Sequence, residues 1–336
     1  MQLLRAAVII PVKNERAGLE ALEESLRSQT RVPDEVIFVD GGSTDGTLEF
    51  LRDLPGRDSL FMVHEVPGAY PGAARNAAVE NTSADIVLQI DGGNLPNDAW
   101  VENLCEPIER GKADYVVGGI RMMPIWKNLL GMRVNVAEIY GASLFDRFQD
   151  QENVGGGSCV AYRRRVWQNV GGFPPSLRYG EDKIFAAKVR ESGIRTAFAA
   201  DAWICWQIGP RLFDVLARQV RYQSNKLKRP RKPGVLLRSA GLTLAFPAAV
   251  AIGVKHPLLL AAAFFMAAVY LARRIGKVWG NFRARSGEVP WREKPLLMAL
   301  VAFLELANIG ARAAGTLLGI AGGGDGSPEP HQFRAP

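Results

Sequence analysis

The chain has 336 residues, of which 48% are hydrophobic and 22% are charged, and its formal net charge at pH 7 is +7. This composition excludes a disordered, collagen-like or coiled-coil chain and leaves room for one large domain with an appendage, or for two domains. The three cysteines are odd in number, widely spaced and without a CxxC pair. They argue against a disulfide framework or a thiolate zinc site and favour a reducing compartment.

Strands and helices are predicted to alternate from the first apolar run onward. That run, Ala6–Val12, is too short for a secretory signal and ends at Lys13, so it reads as a buried strand. Alternation of this kind predicts a parallel sheet with helices on its faces. The predicted strands are Ala6–Ile10, Glu35–Val39, Leu60–Val66 and Ile86–Ile90, and the predicted helices are Ala17–Leu26, Thr47–Leu54 and Gly72–Asn81.

Two aspartates stand where ligands of such sheets bind. Asp40 and Asp91 each follow a predicted strand, and parallel sheets bind ligands at the carboxyl ends of their strands. No G-x-G-x-x-G and no P-loop pattern follows the first strand, which argues against a dinucleotide-binding domain. The segment 39–47, VDGGSTDGT, instead suits a nucleoside, because an acid is followed by small residues. The alternative is that Asp45 or Ser43 only caps the next helix.

The basic residues are concentrated in the C-terminal third. Residues 1–217 hold 23 Lys and Arg against 29 Asp and Glu, whereas residues 218–238 hold eight basic residues and no acid. Residues 273–294 add seven basic residues against two acids. Such clusters suit anionic lipid headgroups better than nucleic acid here, because they adjoin apolar runs and offer few aromatic residues for base stacking.

Three apolar runs accompany the basic clusters. Ser239–Val254 and Leu258–Ala272, separated by a turn at Pro257, predict a helical hairpin that dips into or across a bilayer with its ends on the cytoplasmic side. Leu296–Ile320 is long enough to span, although it contains Glu305 and Arg312, and it can alternatively lie in the interface. The other interpretation is a buried helical subdomain.

The ordered motifs resemble one known family. The segments 8–15, VIIPVKNE, and 39–47, together with 71–78, PGAARNAA, are similar to the opening of the family 2 inverting glycosyltransferases with the GT-A fold. The resemblance continues through Asp91, 171–173 (GGF) and 180–182 (GED), and ends near Tyr222. It covers about two-thirds of the chain. The Gly-Gly-Ser-Thr segment and the apolar C-terminus are most similar to those of exopolysaccharide glucosyltransferases of the succinoglycan type.

The resemblance implies a nucleotide-sugar donor whose diphosphate is neutralised by a divalent cation, Mg²⁺ or Mn²⁺. The family places a D-x-D motif after the fourth strand, where this chain has Asp91-Gly92-Gly93-Asn94. The first acid is present and the second is glycine, which puts metal dependence in doubt. Asp91 can still hold a metal, Asn94 can supply a weaker ligand, or basic side chains can replace the cation. Asp91 as a plain turn or capping residue is the alternative.

Inversion by single displacement needs a general base for the acceptor hydroxyl. Asp182 matches the family's base and begins the predicted helix Glu181–Ser192, where a helix N-terminus favours an ionised carboxylate. Glu181 is the competing candidate, and a role of both acids in starting the helix is the alternative.

The remaining donor contacts are assigned by resemblance. Asn14 and Glu15 either line the uracil pocket or cap the helix that follows. Arg75 either approaches the phosphates or is a surface arginine. The segment 155–158 (GGGS), before the predicted strand Cys159–Arg163, shapes the acceptor side. Residues 219–222 (QVRY) depart from the Q-x-x-R-W of processive synthases, and Gln207 stands near the position of a metal-binding histidine in relatives. The predicted donor-binding residues are Pro11, Asn14, Glu15, Asp40, Gly42, Ser43, Arg75, Asp91, Gly92, Arg218 and Arg221.

Together these interpretations predict an inverting, non-processive glycosyltransferase at the cytoplasmic face of a bacterial inner membrane. It would move a sugar, glucose, from a UDP-sugar to a polyprenyl-diphosphate-linked or growing polysaccharide acceptor. A polyprenyl-phosphate sugar synthase and a catalytically silent nucleotide-sugar-binding scaffold are the alternatives. The predicted organisation is a GT-A domain with a mixed, mainly parallel sheet at 1–217, a basic connector at 218–238, membrane-associated helices at 239–321 with the basic loop 273–294, and a disordered tail at 322–336.

Overall fold

The computed structural model describes residues 3–122, 126–129, 132–135, 157–206 and 294–320, together with isolated helical positions between 217 and 280. These residues fall into two compact units. The first contains 3–121 and 157–206, and the second contains the 126–135 hairpin and 294–320.

The first unit is built on one eight-stranded sheet. Its strands are β1 Ala6–Val12, β2 Glu35–Asp40, β3 Phe61–Glu65, β4 Ile86–Gln89, β5 Asn94–Pro96, β6 Tyr115–Met122, β9 Val160–Arg163 and β10 Thr196–Trp206. Their order in the sheet is β3-β2-β1-β4-β9-β6-β10-β5. The strands β3, β2, β1 and β4 are parallel, whereas β9 is antiparallel to β4 and to β6, and β5 is antiparallel to β10. The sheet is therefore mixed, as predicted, and its parallel pairs join β3, β2, β1 and β4.

Helices cover both faces of this sheet. The helices of the first unit are α1 Arg16–Arg27, α2 Thr47–Arg52, α3 Leu54–Arg57, α4 Pro71–Glu80, α5 Trp100–Glu109, α6 Arg164–Val170 and α7 Glu181–Glu191. Alternate residues of the buried strands point into two separate cores, which is the expected result of a period-two strand. In β2, Val36 and Phe38 join the core under α1 and α5, and Ile37 and Val39 join the core under α4 and α7.

The predicted boundaries agree with the observed ones to within one or two residues, except at Thr47–Leu54. There the chain forms α2 and then a short α3. Pro55 has no backbone N–H to donate to Leu51, so the first helix ends at Arg52 and a new one begins at Leu54 with proline in its first turn.

The sequence analysis did not predict β6, because Gly118 and Gly119 interrupt its apolar pattern. A Cβ built on Gly118 would lie 2.4 Å from Cys159 Sγ and 2.5 Å from the Ala202 carbonyl oxygen. Only glycine therefore allows β6 to pack this closely between its neighbours. All three cysteines are free in the structure.

The second unit contains the antiparallel hairpin of β7 Trp126–Leu129 and β8 Met132–Asn135, and the helix α8 Lys294–Ile320. The third apolar run is thus helical, as predicted. Among the residues that the structure describes, no helix combines the length and the apolar character needed to cross a membrane, so the predicted C-terminal membrane helices are not confirmed. The predicted hairpin at 239–272 lies largely outside the described residues, as do the connector 218–238 and the tail 322–336.

Candidate active site at the carboxyl ends of the strands

The loop after β2 is organised by Asp40. This side chain is 1% exposed, and its Oδ2 accepts hydrogen bonds from the backbone N–H groups of Gly42 at 2.8 Å and Ser43 at 2.9 Å. Its Oδ1 accepts a further bond from the Ser43 hydroxyl. Gly42 has φ +90°, a conformation that favours glycine. Both oxygens of Asp40 therefore hold the loop in shape, and a direct nucleoside contact by Asp40 stays a prediction.

The loop after β1 is fastened to the loop after β2. Asn14 is buried at φ +57°, its Oδ1 accepts a bond from the Thr44 N–H at 2.8 Å, and its own N–H donates to Ser43 Oγ at 2.9 Å. Asparagine tolerates this left-handed conformation better than most residues do. The two loops therefore form one surface at the ends of β1 and β2.

The backbone N–H groups at the start of α1 donate to side chains that follow β2. Asp45 Oδ2 accepts from the Arg16 N–H at 3.2 Å, and Thr47 Oγ1 accepts from the Glu15 N–H at 3.0 Å. Asp45 Oδ1 also accepts from the Thr47 N–H at 3.1 Å, so Asp45 serves the start of α2 as well. The Glu15 side chain makes no capping hydrogen bond at α1.

Asp91 lies at the turn after β4, and its side chain is 44% exposed. Its Oδ1 accepts a bond from Arg75 Nη2 at 2.6 Å, and its Oδ2 accepts one from the Ser158 hydroxyl. Ser158 comes from the 155–158 glycine segment, which the sequence analysis placed on the acceptor side. The structure thus adds Ser158 as a residue that orients Asp91, a role for which the sequence carries no separate signal.

Arg75 is a buried residue of α4, not a surface arginine. Its side chain is 3% exposed and forms ion pairs with Asp91 and with Glu181. Burial lowers the pKa of Arg75, but the charges of Asp91, Glu181 and Asp182 outweigh burial and raise it above its usual value. The guanidinium also lies 5.7 Å from the ring centroid of Phe173. Arg75 is therefore a permanent cation that holds Asp91 and Glu181 close together.

The 171–173 glycine-glycine-phenylalanine motif is attached to α4 through Asn76. Asn76 Oδ1 accepts bonds from the Phe173 N–H and from Trp167 Nε1, each at 2.9 Å, and its Nδ2 donates to the Phe173 carbonyl at 2.8 Å. The Phe173 ring stacks on Phe185 of α7 at 4.1 Å between centroids. Two distant motifs are thus one packing unit that fixes α7 against α4.

The two acids at the start of α7 have different surroundings. Glu181 is 5% exposed, and burial raises its pKa even though Arg75 opposes the shift. Asp182 is half-buried, and a Cβ built on Gly157 would lie 3.3 Å from its Oδ2. Glu181 is therefore enclosed and paired, whereas Asp182 remains accessible beside the glycine segment.

A divalent cation fits the chemistry of the turn after β4 if the donor diphosphate supplies further ligands. Among the described residues, no group of three or more His, Cys, Asp and Glu side chains could hold a metal unaided. The Asn94 amide oxygen, however, is buried without a hydrogen-bond partner, close in sequence to Asp91. Hard cations such as Mg²⁺ and Mn²⁺ prefer oxygen ligands and are commonly held by one or two carboxylates with substrate phosphates.

Gln89 is a residue of this region that the sequence analysis missed. It is 2% exposed, its Nε2 donates to the Gly157 carbonyl at 2.5 Å, and its Oε1 is buried without a partner. A single polar residue in the otherwise apolar strand Ile86–Ile90 was the signal that could have found it. Pro11 lies on β1, and the remaining predicted donor contacts, Arg218 and Arg221, lie outside the described residues, as does Gln207.

Two family models match the chain. The model described as Glycosyl transferase family 2 matches residues 7–171, and that described as Glycosyl transferase family 21 matches residues 143–309. The first match contains the loops after β1, β2 and β4, and the second contains Asp182.

Curated relatives are similar over most of the chain. Glycosyltransferase AglE of Haloferax volcanii is 30% identical over 232 residues, which are 66% of this chain and 73% of that protein. The O-antigen chain rhamnosyltransferase RfbN of Salmonella typhimurium is 28% identical over 59% of this chain and 65% of that protein. The succinoglycan biosynthesis protein ExoA of Rhizobium meliloti is 27% identical over 73% of this chain and 78% of that protein.

Solved structures share the fold. A mannosyltransferase from Pyrobaculum calidifontis in complex with GDP-Man and Mn²⁺ superposes with a TM-score of 0.53 at 20% identity, covering 95% of this chain and 88% of that one. GalNAc-T7 with UDP, GalNAc and Mn²⁺ superposes with a TM-score of 0.50 at 16% identity, covering 69% of this chain and 52% of that one. The sheet, the ordered motifs and the similarity to AglE lead to one assignment: the chain belongs to the family 2 glycosyltransferases and is a glycosyltransferase.

Proposed function

We propose that this glycosyltransferase transfers glucose from UDP-glucose, with inversion, to a lipid-linked or growing polysaccharide acceptor, one sugar per encounter. The names of ExoA and RfbN, which refer to succinoglycan biosynthesis and to O-antigen chains, support an acceptor of the polysaccharide class. The nucleotides in the two solved structures support a nucleotide-sugar donor. The choice of UDP and glucose rests on the resemblance of the motifs to succinoglycan-type enzymes.

The observation that carries the proposal is the contrast between the acids at the start of α7. Glu181 is enclosed with Arg75, so its carboxylate is occupied by an ion pair. Asp182 is half-buried and lies beside Gly157, so it is less enclosed than Glu181. A general base must come within hydrogen-bond reach of the hydroxyl that it deprotonates. We therefore assign the base to Asp182 and a positioning role to Glu181.

In the proposed reaction, the Asp182 carboxylate takes the proton from the acceptor hydroxyl as its oxygen attacks the anomeric carbon. The new C–O bond forms on the face opposite the diphosphate, so the anomeric configuration inverts. The bond from the anomeric carbon to the phosphate oxygen breaks, and UDP leaves with the bonding electron pair. A divalent cation, when bound, would neutralise charge on the diphosphate.

The donor would lie across the ends of β1, β2 and β4. Asp40 and Asn14 shape the two loops there through buried hydrogen bonds, so the surface for the nucleoside is preformed. Arg75 and Ser158 hold the carboxylate of Asp91 in one orientation. Preformed groups of this kind lower the cost of organising the donor for reaction.

The proposed location is the cytoplasmic face of the inner membrane. It is supported by the sequence alone, through the basic residues of 218–238 and 273–294 and the apolar runs between and after them. A membrane-attached site would lie close to a polyprenyl-diphosphate acceptor. A flotation assay with vesicles of anionic lipid tests this part independently of catalysis.

The test of the reaction compares Asp182→Asn with Glu181→Gln. For the purified full chain with UDP-[¹⁴C]glucose, Asp182→Asn should lower turnover about 10²- to 10⁴-fold, the usual contribution of a general base, while UDP affinity stays within about twofold. Glu181→Gln should lower thermal stability and reduce turnover less. Exposed Asp201→Asn is the matched control.

Three outcomes separate the alternatives. Full activity of Asp182→Asn would remove Asp182 from the role of base. Binding of UDP-glucose by the wild type without transfer or donor hydrolysis would favour the silent scaffold. Transfer to polyprenyl phosphate in preference to a diphosphate-linked glycan would favour the polyprenyl-phosphate sugar synthase.

A further inference from the structure

The carboxylate of Glu15 lies in the space that a side chain at position 93 would occupy. A Cβ built on Gly93 would lie 3.2 Å from Glu15 Oε2 and 3.9 Å from Glu15 Oε1. The carboxylate oxygen of an aspartate lies about 2.4 Å from its own Cβ, as standard bond lengths require. Glu15 thus brings a carboxylate from the end of β1 to nearly the same place that an acid at position 93 would reach from the turn after β4.

Side chains at the end of β1 lie close to both glycines of the turn. A Cβ on Gly92 would lie 2.8 Å from Val12 Cγ1 and 3.4 Å from Glu15 Cγ, so the end of β1 packs directly onto the turn. Neither Gly92 nor Gly93 has a positive φ, so the close approach of the Val12 side chain, and not backbone strain, favours glycine at position 92. A larger residue at position 92 would meet Val12 first, and one at position 93 would meet the Glu15 carboxylate.

The backbone of Glu15 is well fixed. Its N–H donates to Thr47 Oγ1 at 3.0 Å, and the preceding residue, Asn14, is held in the left-handed conformation by the loop after β2. A side chain that starts from a fixed backbone loses less conformational entropy when it binds a ligand. Glu15 is therefore in a fixed position relative to the turn.

The charges around the turn favour a cation when a diphosphate binds. Asp91 and Glu15 bring two carboxylates to the turn, and Arg75 divides its charge between Asp91 and the buried Glu181. A bound diphosphate would bring further negative charge close to these carboxylates. A divalent cation relieves this repulsion, and the buried, unpartnered amide oxygen of Asn94 is a ligand atom of the type that it prefers.

We propose that Glu15 is the second acidic residue of a divalent-cation and diphosphate site in this protein, replacing the acid that position 93 lacks. The inference rests on the proposed function, because the cation is expected to bind together with the nucleotide diphosphate. The alternative role of Glu15, a contact with the uracil ring, makes a different prediction, since a uracil contact acts whether or not metal is present.

The experiment measures UDP binding to the full chain by calorimetry, with and without Mn²⁺, and Mn²⁺ binding by electron paramagnetic resonance in the presence of UDP. In the wild type, Mn²⁺ should strengthen UDP binding at least tenfold. Glu15→Gln should remove most of this strengthening and change the metal-free UDP affinity far less. Exposed Glu20→Gln, on the helix that follows Glu15, is the control.

A relocated acid sharpens the test. Gly93→Asp alone should weaken Mn²⁺-dependent binding, because its Cβ would meet the Glu15 carboxylate. Glu15→Ala combined with Gly93→Asp should recover the strengthening, since the acid then comes from the turn itself. Circular dichroism and the melting temperature confirm that each variant is folded before binding is measured.

Several results would overturn the inference. These are an unchanged Mn²⁺ effect in Glu15→Gln, an equal loss of UDP affinity with and without metal, or no recovery in the double variant. Wild-type binding of UDP that is equal with and without Mn²⁺ would overturn the inference and leave the proposed function intact. Failure of the wild type to bind either UDP or UDP-glucose would overturn both.

Discussion

Arg75 and Glu181 form an ion pair in which the side chains are only 3% and 6% exposed, although 106 residues separate them in the chain. The same guanidinium pairs with Asp91 at 2.6 Å. One buried cation therefore joins helix α4, the turn after β4 and the start of α7. The position of Asp182, the residue after Glu181, depends on this connection.

Loss of Arg75 should be costly for stability. Arg75→Met leaves Glu181 buried without its partner, and breaking a buried pair typically costs about 3–5 kcal/mol. The free energy of unfolding, measured by urea denaturation followed by circular dichroism, should fall by that amount. Turnover should fall further than stability explains, because Asp91 loses the group that orients it.

Arg52→Met is the control for this change. Arg52 also forms an ion pair, with Glu65, but the two side chains are 56% and 40% exposed. Solvent screens exposed pairs, so they contribute little to stability and this variant should be nearly neutral. Equal effects of the two substitutions would contradict the structural role of the buried pair.

Gly72 should not tolerate a methyl group. Its Cβ would lie 2.3 Å from the Pro174 carbonyl oxygen and 3.2 Å from Glu181 Cβ. Although alanine is the better helix former by about 1 kcal/mol, the overlap with backbone should make Gly72→Ala destabilising by about 1–3 kcal/mol. Gly56→Ala is the control, because nothing lies within 4 Å of a Cβ there. A stabilised Gly72→Ala would mean that α4 and the 174 segment are further apart.

The left-handed conformation of Asn14 reverses a usual order of stability. Asn14→Gly and Asn14→Ala both lose the hydrogen bond to the Thr44 N–H, but only alanine is strained at φ +57°. Alanine should therefore be the less stable variant by about 1 kcal/mol. Both variants should bind UDP more weakly than Asn14→Asp, which keeps the acceptor oxygen. Thermal denaturation and calorimetry measure the two effects, and greater stability of Asn14→Ala would refute the strain.

Asp114 should make stability depend on pH. Burial raises the pKa of its carboxyl, but hydrogen bonds from Arg165 and Arg195 outweigh burial and lower the pKa below its usual value. The ionised form therefore stabilises the fold above the unfolded-state pKa of about 3.9, and this stabilisation is lost as the pH falls through the lowered folded-state value.

Asp114→Asn should accordingly cost about 1–2 kcal/mol at pH 7, which is below the usual value for hydrogen bonds to a charged group because solvent screens the exposed Arg165 and Arg195. The difference from wild type should be constant above about pH 5 and shrink below about pH 4. Urea denaturation across this range measures it, with exposed Glu80→Gln as the control. A difference that grows toward low pH would show that the pKa of Asp114 is raised instead.

Local patterns were sufficient for the first half of the sheet. The buried strands β1, β2 and β4 are short apolar runs that end at polar residues. Each run can be recognised as a strand from its own residues. The loops at Asp40 and Asp91 were identified from motifs of consecutive residues. In the antiparallel half, the pattern predicted β9 but not β6, because β6 is interrupted by glycines that are explained only by Cys159 and Ala202.

The sequence by itself determined the family, the kind of fold and the acids that are candidates for catalysis, because motifs and strand patterns depend on neighbouring residues. Only the tertiary structure decided that Arg75 is buried between Asp91 and Glu181, that Asp182 remains accessible beside Gly157, and that Glu15 lies against Gly93. These relationships join residues that are far apart in the chain. Their burial and charge arise when the strand ends and helix starts meet, so no local pattern of residues contains them.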